Sequence, residues 1–210
     1  MNAAATLVHA PVAVVGAGLI GRAWAIVFAR AGHAVRLHDM DPPTMAASLA
    51  YIEARLHELA GFGLIDEAPA VVLARIHIEA NLADALRDVV LVQENVRETV
   101  ADKIAIFAQL DALAPSAAIL ASSTSWLPAS KFTAGLAGRA RCLVAHPTNP
   151  PYLVPLVELC PTPWTDPQVL QRAHEIYSAS GQTPVTLARE IHGFLLNRVQ
   201  GAVLDECFKL

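Results

Sequence analysis

The stretch VAVVGAGLIGRAWAIVFARAG, residues 12–32, decides the fold. VAVV has the apolar, β-branched density of a buried strand. Gly16-Ala17-Gly18-Leu19-Ile20-Gly21 follows as G-x-G-x-x-G, and from Leu19 apolar residues recur at helical spacing until Gly32 ends the run. HAVRLHD, residues 33–39, then reads as a second strand. Strand, helix and strand within the first 39 residues is the start of a parallel sheet with crossover helices.

The glycines stand where a dinucleotide needs them. Gly16 permits the tight turn, Gly18 lets the backbone approach a pyrophosphate, and Gly21 allows close packing of helix on strand. Leu19 and Ile20 open the helix whose N-terminal amides would face the diphosphate. Asp39 ends the second strand, eighteen residues after Gly21. A carboxylate there accepts hydrogen bonds from ribose hydroxyls and repels a 2′-phosphate, so NAD is expected rather than NADP.

Outward from this unit the alternation continues. A helix is expected over 44–60, a strand at 75–80, a helical turn at 84–88, a strand at 89–93 and a helix over 101–114. Strands follow at 117–123, 140–146 and 154–159, then a helix over 165–181 capped by Thr165 or Asp166, and a last strand at 182–188. The expected class is α/β: a Rossmann-type, doubly wound, mostly parallel sheet with helices on both faces and a smaller added sheet portion. Residues 193–210 read as a long amphipathic helix with no stop signal before Leu210, so something is expected to follow it or pack on it.

Composition excludes several partners. The chain has 210 residues, 54% of them hydrophobic and 16% charged, yet no unbroken apolar run long enough to span a bilayer. A net charge of −4 without Lys/Arg clusters argues against nucleic acid. Cys142, Cys160 and Cys207 are odd in number and far apart, which argues against a disulfide framework or a metal site and for a reduced, cytoplasmic protein. The opening MNAAATLVHAP has neither the basic start of a secretory signal nor the arginines of a transit peptide, and is expected to be a short frayed lead-in.

An alcohol-oxidising nicotinamide enzyme needs a base for the hydroxyl proton, and neutral imidazole suits that task. Of eight histidines, His146 ends an apolar strand, at the carboxyl edge where such sheets bind ligands. Glu158, twelve residues on, lies within an apolar strand where an unpaired carboxylate would be costly. Pairing the two answers both needs, and the four intervening prolines would fix the path between them.

These residues carry a resemblance. Ser122-Ser123-Thr124-Ser125, His146-Pro147-Thr148-Asn149-Pro150, Pro155-Leu156-Val157-Glu158 and Gly193-Phe194-Leu195-Leu196-Asn197-Arg198 stand in the order found in the L-3-hydroxyacyl-CoA dehydrogenase family. The chain resembles most its λ-crystallin / L-gulonate 3-dehydrogenase branch, from Val12 to Leu210. The resemblance implies His146 as general base, Glu158 as its partner, and Ser125 and Asn197 as hydrogen-bonding groups around the substrate oxygen and the histidine. It implies that Ser123, Glu98 and Lys103 help seat the nicotinamide end of NAD. It also implies that residues 1–190 form the NAD-binding domain with the catalytic His/Glu, and that 191–210 begin a C-terminal helical domain, otherwise absent here, through which subunits dimerise or are completed.

The family's acyl-CoA members usually carry H-F-F-N-P where this chain has His146-Pro147-Thr148-Asn149-Pro150, and Arg55 is the one strongly basic residue between Asp39 and Ala70. A small hydroxy acid is therefore expected, with L-gulonate first and L-carnitine, short 3-hydroxy acids or 3-hydroxybutyryl-CoA as competitors. Arg198 is a candidate carboxylate clamp, or equally a structural ion-pair partner. Relatives in this branch serve as lens structural proteins, so an NAD(H)-binding protein without turnover is the alternative of another class.

Overall fold

The computed structural model describes residues 10–210, so most of the expected lead-in lies outside the described residues. Eight strands form one sheet: β1 (Val12–Val15), β2 (Val35–His38), β3 (Ile76–Ile78), β4 (Leu91–Glu94), β5 (Ile119–Ser122), β6 (Cys142–Pro147), β7 (Leu156–Pro161) and β8 (Thr183–Thr186), in the order β3-β2-β1-β4-β5-β6-β7-β8. Every pairing is parallel except β6 with β7. The smaller added portion is thus an extension of the main sheet: β6 pairs with β5 on one edge and with β7 on the other.

Eight described helices connect and flank the strands: α1 (Leu19–Arg30), α2 (Pro42–Gly61), α3 (Pro69–Leu73), α4 (Leu82–Ala85), α5 (Val100–Leu113), α6 (Ser130–Thr133), α7 (Pro167–Ala179) and α8 (Leu196–Cys207). Side chains cap several of them. Asp41 accepts from Thr44 N, Thr99 from Asp102 N, and Asp166 from Gln168 N, so Asp166 and not Thr165 opens α7. The short α3 and α6 have no counterpart in the periodicity, since five and four residues are too few to show a helical repeat.

Alternation along the strands sends side chains to two cores. Val12 and Val14 join Trp24, Phe28, Ile52, Leu56, Ile176 and Tyr177 on one face, beneath α1, α2 and α7. Ala13 and Val15 join Ile106, Phe107, Leu110 and Phe132 on the other, beneath α5 and α6. Trp24 stacks on Phe28 at 5.3 Å between ring centroids and meets Tyr177 at 5.4 Å, which locks α1 to α7.

Register then places the edge that matters. Val15 is opposite both His38 and Glu94, and Glu94 is opposite Ser122. The next residues, Gly16, Asp39, Asn95 and Ser123, therefore stand in a row along the carboxyl edge, across the β1/β4 switch point where open sheets of this kind bind ligands. Ser122 is opposite Val144, so β6 runs on and carries His146 past that row.

Candidate active site

The glycine turn is built for close approach. Gly16 has φ +95°, and a Cβ on Gly21 would lie 1.8 Å from the Gly16 carbonyl oxygen, so only glycine lets α1 start this close to β1. A Cβ on Gly18 would instead meet open space. The N-cap of α1 is Gly18 itself, with no side-chain cap and no acid in the first turn. Its leading amides are thus left to an outside anion, and Leu19, at the rim, is 57% exposed while Ile20 packs on the core. Asp39 stands beside the turn, with Oδ2 accepting from Ala17 N at 2.7 Å and Oδ1 from Asp41 N at 2.8 Å. Open space over Gly18, unclaimed helix amides and a carboxylate at the second strand's end fit a dinucleotide with free ribose hydroxyls.

Beneath the turn lies a layer of buried polar groups. Lys103 is 1% exposed, and its ammonium sits 2.7 Å from Oε1 and 3.0 Å from Oε2 of Glu94, which is fully buried. Ser122 Oγ and Val96 N also donate to Glu94, each at 2.6 Å. Burial pushes the Glu94 carboxyl above its usual range, against the pull of those donors. Glu98 lies further out, 3.7 Å from Lys103 through Oε2, while its Oε1 accepts from the Thr124 hydroxyl and from the amides of Ser125 and Trp126 at 3.0 and 3.2 Å. Glu98 thereby shapes the serine turn. Ser123 points inward, its Oγ bonded to Trp24, Gln93 and Asn95. Lys103 and Ser123 are thus engaged by protein groups below the cradle.

His146 and Glu158 are directly opposite each other in the antiparallel pair, and Nδ1 of His146 lies 2.7 Å from Oε2 of Glu158. Both are buried, at 6% and 2% exposure. The other carboxylate oxygen, Oε1, accepts from Leu195 N at 2.7 Å and Leu196 N at 2.8 Å, at the start of α8. Burial works to raise the Glu158 carboxyl, but the bonds from His146, Leu196 and Leu195 outweigh it and hold it below the usual range. A carboxylate acceptor fixes the proton on Nδ1, which leaves Nε2 of the neutral ring as the basic nitrogen. Phe194 covers the ring at 5.3 Å.

The same segment reaches the serine turn. Asn197 Nδ2 donates to the Ser125 carbonyl at 2.7 Å, and Gly193 N to the Trp126 carbonyl at 3.4 Å. Gly193 and Phe194 are both left-handed, with φ of +71° and +49°. This break is why the last helix begins at Leu196 rather than at the expected residue 193. Arg198 is exposed on α8.

The expected residues therefore fall into two clusters on one edge: Gly16, Gly18, Leu19, Ile20, Gly21 and Asp39 around the glycine turn, and Ser125, His146, Glu158 and Asn197 around the start of α8. Glu98, Lys103 and Ser123 lie in the layer between and beneath. Glu94 and Asn95 join the site without having stood out as site residues in the sequence. The signal was present for the first, since QEN closes an otherwise apolar strand, where a carboxylate implies a buried cation.

Fold and cradle define a dinucleotide-binding domain of the Rossmann type. A sequence model of the family described as "3-hydroxyacyl-CoA dehydrogenase, NAD binding domain" matches residues 11–191. The chain belongs to this family, and NAD is its cofactor. The lambda-crystallin homolog of Bos taurus is 46% identical over 201 residues, covering 95% of this chain and 63% of that protein. L-carnitine dehydrogenase of Streptomyces griseus is 35% identical, covering 95% of this chain and 58% of its own length. Among solved structures, FadB2 of M. tuberculosis superposes with a TM-score of 0.90 at 32% identity, over 96% of this chain and 71% of that one. The chain spans a little under two thirds of the length of the curated relatives it matches.

Proposed function

We propose that the chain is the cofactor-binding and proton-transferring part of an NAD-dependent dehydrogenase that oxidises the 3-hydroxyl of a small free hydroxy acid, a reaction like that of L-gulonate 3-dehydrogenase. The observation that carries the reading is the His146–Glu158 pair at 2.7 Å, with the second carboxylate oxygen pinned by two backbone amides.

Bound in the cradle, NAD supplies the acceptor for the hydride that leaves the carbinol carbon. His146 takes the hydroxyl proton on Nε2 as the carbonyl forms, while Nδ1–H stays on Glu158. The carboxylate stabilises the imidazolium and holds the ring in one orientation, so little reorganisation accompanies proton transfer. Ser125, exposed at the turn, brings its hydroxyl to the substrate oxygen. Asn197 anchors that turn through the Ser125 carbonyl, and Glu98 anchors it through the Ser125 amide.

A free acid is favoured over a CoA ester by the state of Arg55. Its guanidinium pairs with Glu58 at 2.5 Å and stacks over Tyr51, so the one strongly basic side chain of residues 40–70 is already engaged. Similarity to L-carnitine dehydrogenase and to a 3-hydroxyacyl-CoA dehydrogenase of Gibberella moniliformis supports carnitine and 3-hydroxybutyryl-CoA as the competing substrates.

Residues 1–190 form the NAD-binding domain in this reading, and 191–210 begin a helical region. Leu195, Val199, Val203 and Leu204 lie along α8 at 49–56% exposure, which supports pairing of this helix with further helical chain or with a second copy in a homodimer. No described helix is long and apolar enough to cross a membrane. Three free cysteines fit a reducing, cytoplasmic setting.

Similarity to lambda-crystallins supports a second reading, an NAD(H)-binding structural protein without turnover. NADH formation measured with L-gulonate, L-carnitine, 3-hydroxybutyrate and 3-hydroxybutyryl-CoA separates the cases. Turnover of a free hydroxy acid is expected. Turnover confined to the CoA ester would overturn the substrate class, and tight NADH binding with no turnover of any would favour the structural protein.

A further inference from the structure

The cradle rests on a run of hydrogen bonds whose direction is fixed at two ends, by the Trp24 indole and by the Gln93 and Val15 carbonyls that receive the Asn95 amide. Trp24 Nε1 can only donate, and it reaches Ser123 Oγ at 3.0 Å. The Tyr177 hydroxyl donates to Oε1 of Gln93, which turns the Gln93 amide so that Nε2 faces Ser123 Oγ at 2.7 Å. Burial pushes the Tyr177 phenol well above its ordinary range, so it keeps the proton that it donates to Gln93. With both lone pairs of Ser123 Oγ occupied, its single proton must go to Asn95 Oδ1, 2.7 Å away. The Asn95 amide is held in the matching sense, since Nδ2 donates to Gln93 O at 2.8 Å and to Val15 O at 3.4 Å, the last carbonyl before the glycine turn, which leaves Oδ1 facing Ser123.

Asn95 is also the wall of the turn. Its carbonyl carbon and oxygen would each lie 2.7 Å from a Cβ on Gly16, and its Nδ2 3.5 Å from one on Gly21. The residues that lead into Ser123 are deeply buried: Trp24, Tyr177 and Gln93 have no exposed surface. An ordered network of this kind is worth more than isolated bonds, because one wrong amide orientation leaves several buried groups unpaired.

We infer that Tyr177 and Trp24 are positioning residues for NAD binding, which set the proton order Tyr177 to Gln93 to Ser123 to Asn95 and so hold the glycine turn open to the dinucleotide. This assigns Ser123 an indirect role, through Asn95, in place of direct contact with the nicotinamide end. It also gives α7, which meets α1 through Tyr177 and Trp24, a part in binding. Without the phenol hydroxyl, the Gln93 amide is free to turn over and accept the Ser123 proton, and Asn95 loses its partner.

The test compares Tyr177→Phe, which removes only the hydroxyl, with Ile176→Val, which trims the same core one residue away and touches no polar group. For each, NADH affinity is measured by titration well below the melting temperature. The indole N–H resonance of Trp24 is read without cofactor and identified by elimination with Trp126→Phe and Trp164→Phe. Tyr177→Phe is expected to weaken NADH about fivefold, the factor one ordinary hydrogen bond carries, and to move the Trp24 resonance. Ile176→Val is expected to lower the melting temperature and leave both unchanged. NADH affinity within twofold of native in Tyr177→Phe, an unmoved indole resonance, or an equal loss of affinity in Ile176→Val would each overturn the inference. Because the indole signal needs no cofactor, it separates failure of the proton order from failure of NAD binding itself.

Discussion

His146 and Glu158 face each other across an antiparallel strand pair, Nδ1 to Oε2 at 2.7 Å, while every other pairing in the sheet is parallel. The reversal is what brings them together. The chain leaves the carboxyl edge after His146, turns through the proline segment, and returns antiparallel so that Glu158 lands opposite the histidine. The same carboxylate accepts from Leu195 N and Leu196 N at the start of α8, so histidine, carboxylate and final helix form one unit.

Replacing Glu158 by Gln tests that unit. The amide still accepts from Leu195 and Leu196, but it no longer fixes the imidazole tautomer or stabilises its charge. The turnover number should fall by about 10²–10⁴ with a smaller change in NADH affinity. Stability carries a pH signature as well. The folded carboxyl lies below its unfolded value, so its contribution is present above the ordinary carboxylate range, about pH 4.3, and is lost as pH falls through the lower folded value. Chemical denaturation should therefore show the native chain's advantage over Glu158→Gln shrinking on acidification. An advantage constant from neutral to strongly acid pH would contradict it.

Asp39 is the residue proposed to set the choice of NAD over NADP. Met40 beside it is 84% exposed, so Asp39→Ser with Met40→Arg removes the carboxylate and supplies a phosphate partner without crowding. The ratio of NADPH to NADH affinity should rise on the order of tenfold or more. An unchanged ratio would remove Asp39 from the ribose site.

Gly193→Ala places a methyl 2.5 Å from Trp126 Cζ3, at a residue with φ +71°. The left-handed backbone alone makes the substitution costly by about 1–3 kcal/mol. The shift should also part Asn197 from the Ser125 carbonyl, so thermal melting and turnover should drop together while NADH affinity holds. A variant with native turnover and melting temperature would show that the link from α8 to the serine turn does not matter.

The cysteines offer a check on the fold. Burial pushes the Cys142 thiol up to about 12 and the Cys160 thiol up to about 11, whereas Cys207 is exposed on α8. Alkylation near neutral pH should modify Cys207 alone until denaturant is added. Rapid labelling of all three would mean that β6 and β7 are not held as described.

The features legible in the sequence were those with local chemistry. The glycine turn, Asp39, and the cap at Thr165 or Asp166 each carry their cause within a few residues. His146 and Glu158 were legible because a histidine and a carboxylate stood out against apolar strands. What escaped was non-local. The continuity of β6 to β8 with the main sheet depends on pairing across edges, which period-two alternation does not encode. The true start of α8 depends on left-handed Gly193 and Phe194, and a phenylalanine gives no warning of such a backbone. For Ser123, which the family resemblance places near the nicotinamide end, the sequence gives no sign of the partners of its hydroxyl. Its hydroxyl faces inward because Trp24 and Gln93, 99 and 30 residues away in sequence, claim it.

The most direct test of the central claim compares native chain and His146→Gln for NADH formation with the free hydroxy acids, alongside NADH affinity. The account predicts turnover in the native chain that falls by about 10²–10⁴ in His146→Gln while NADH affinity stays within a factor of about two. Undiminished turnover, or a loss of turnover matched by an equal loss of NADH binding, would show that His146 is not the base.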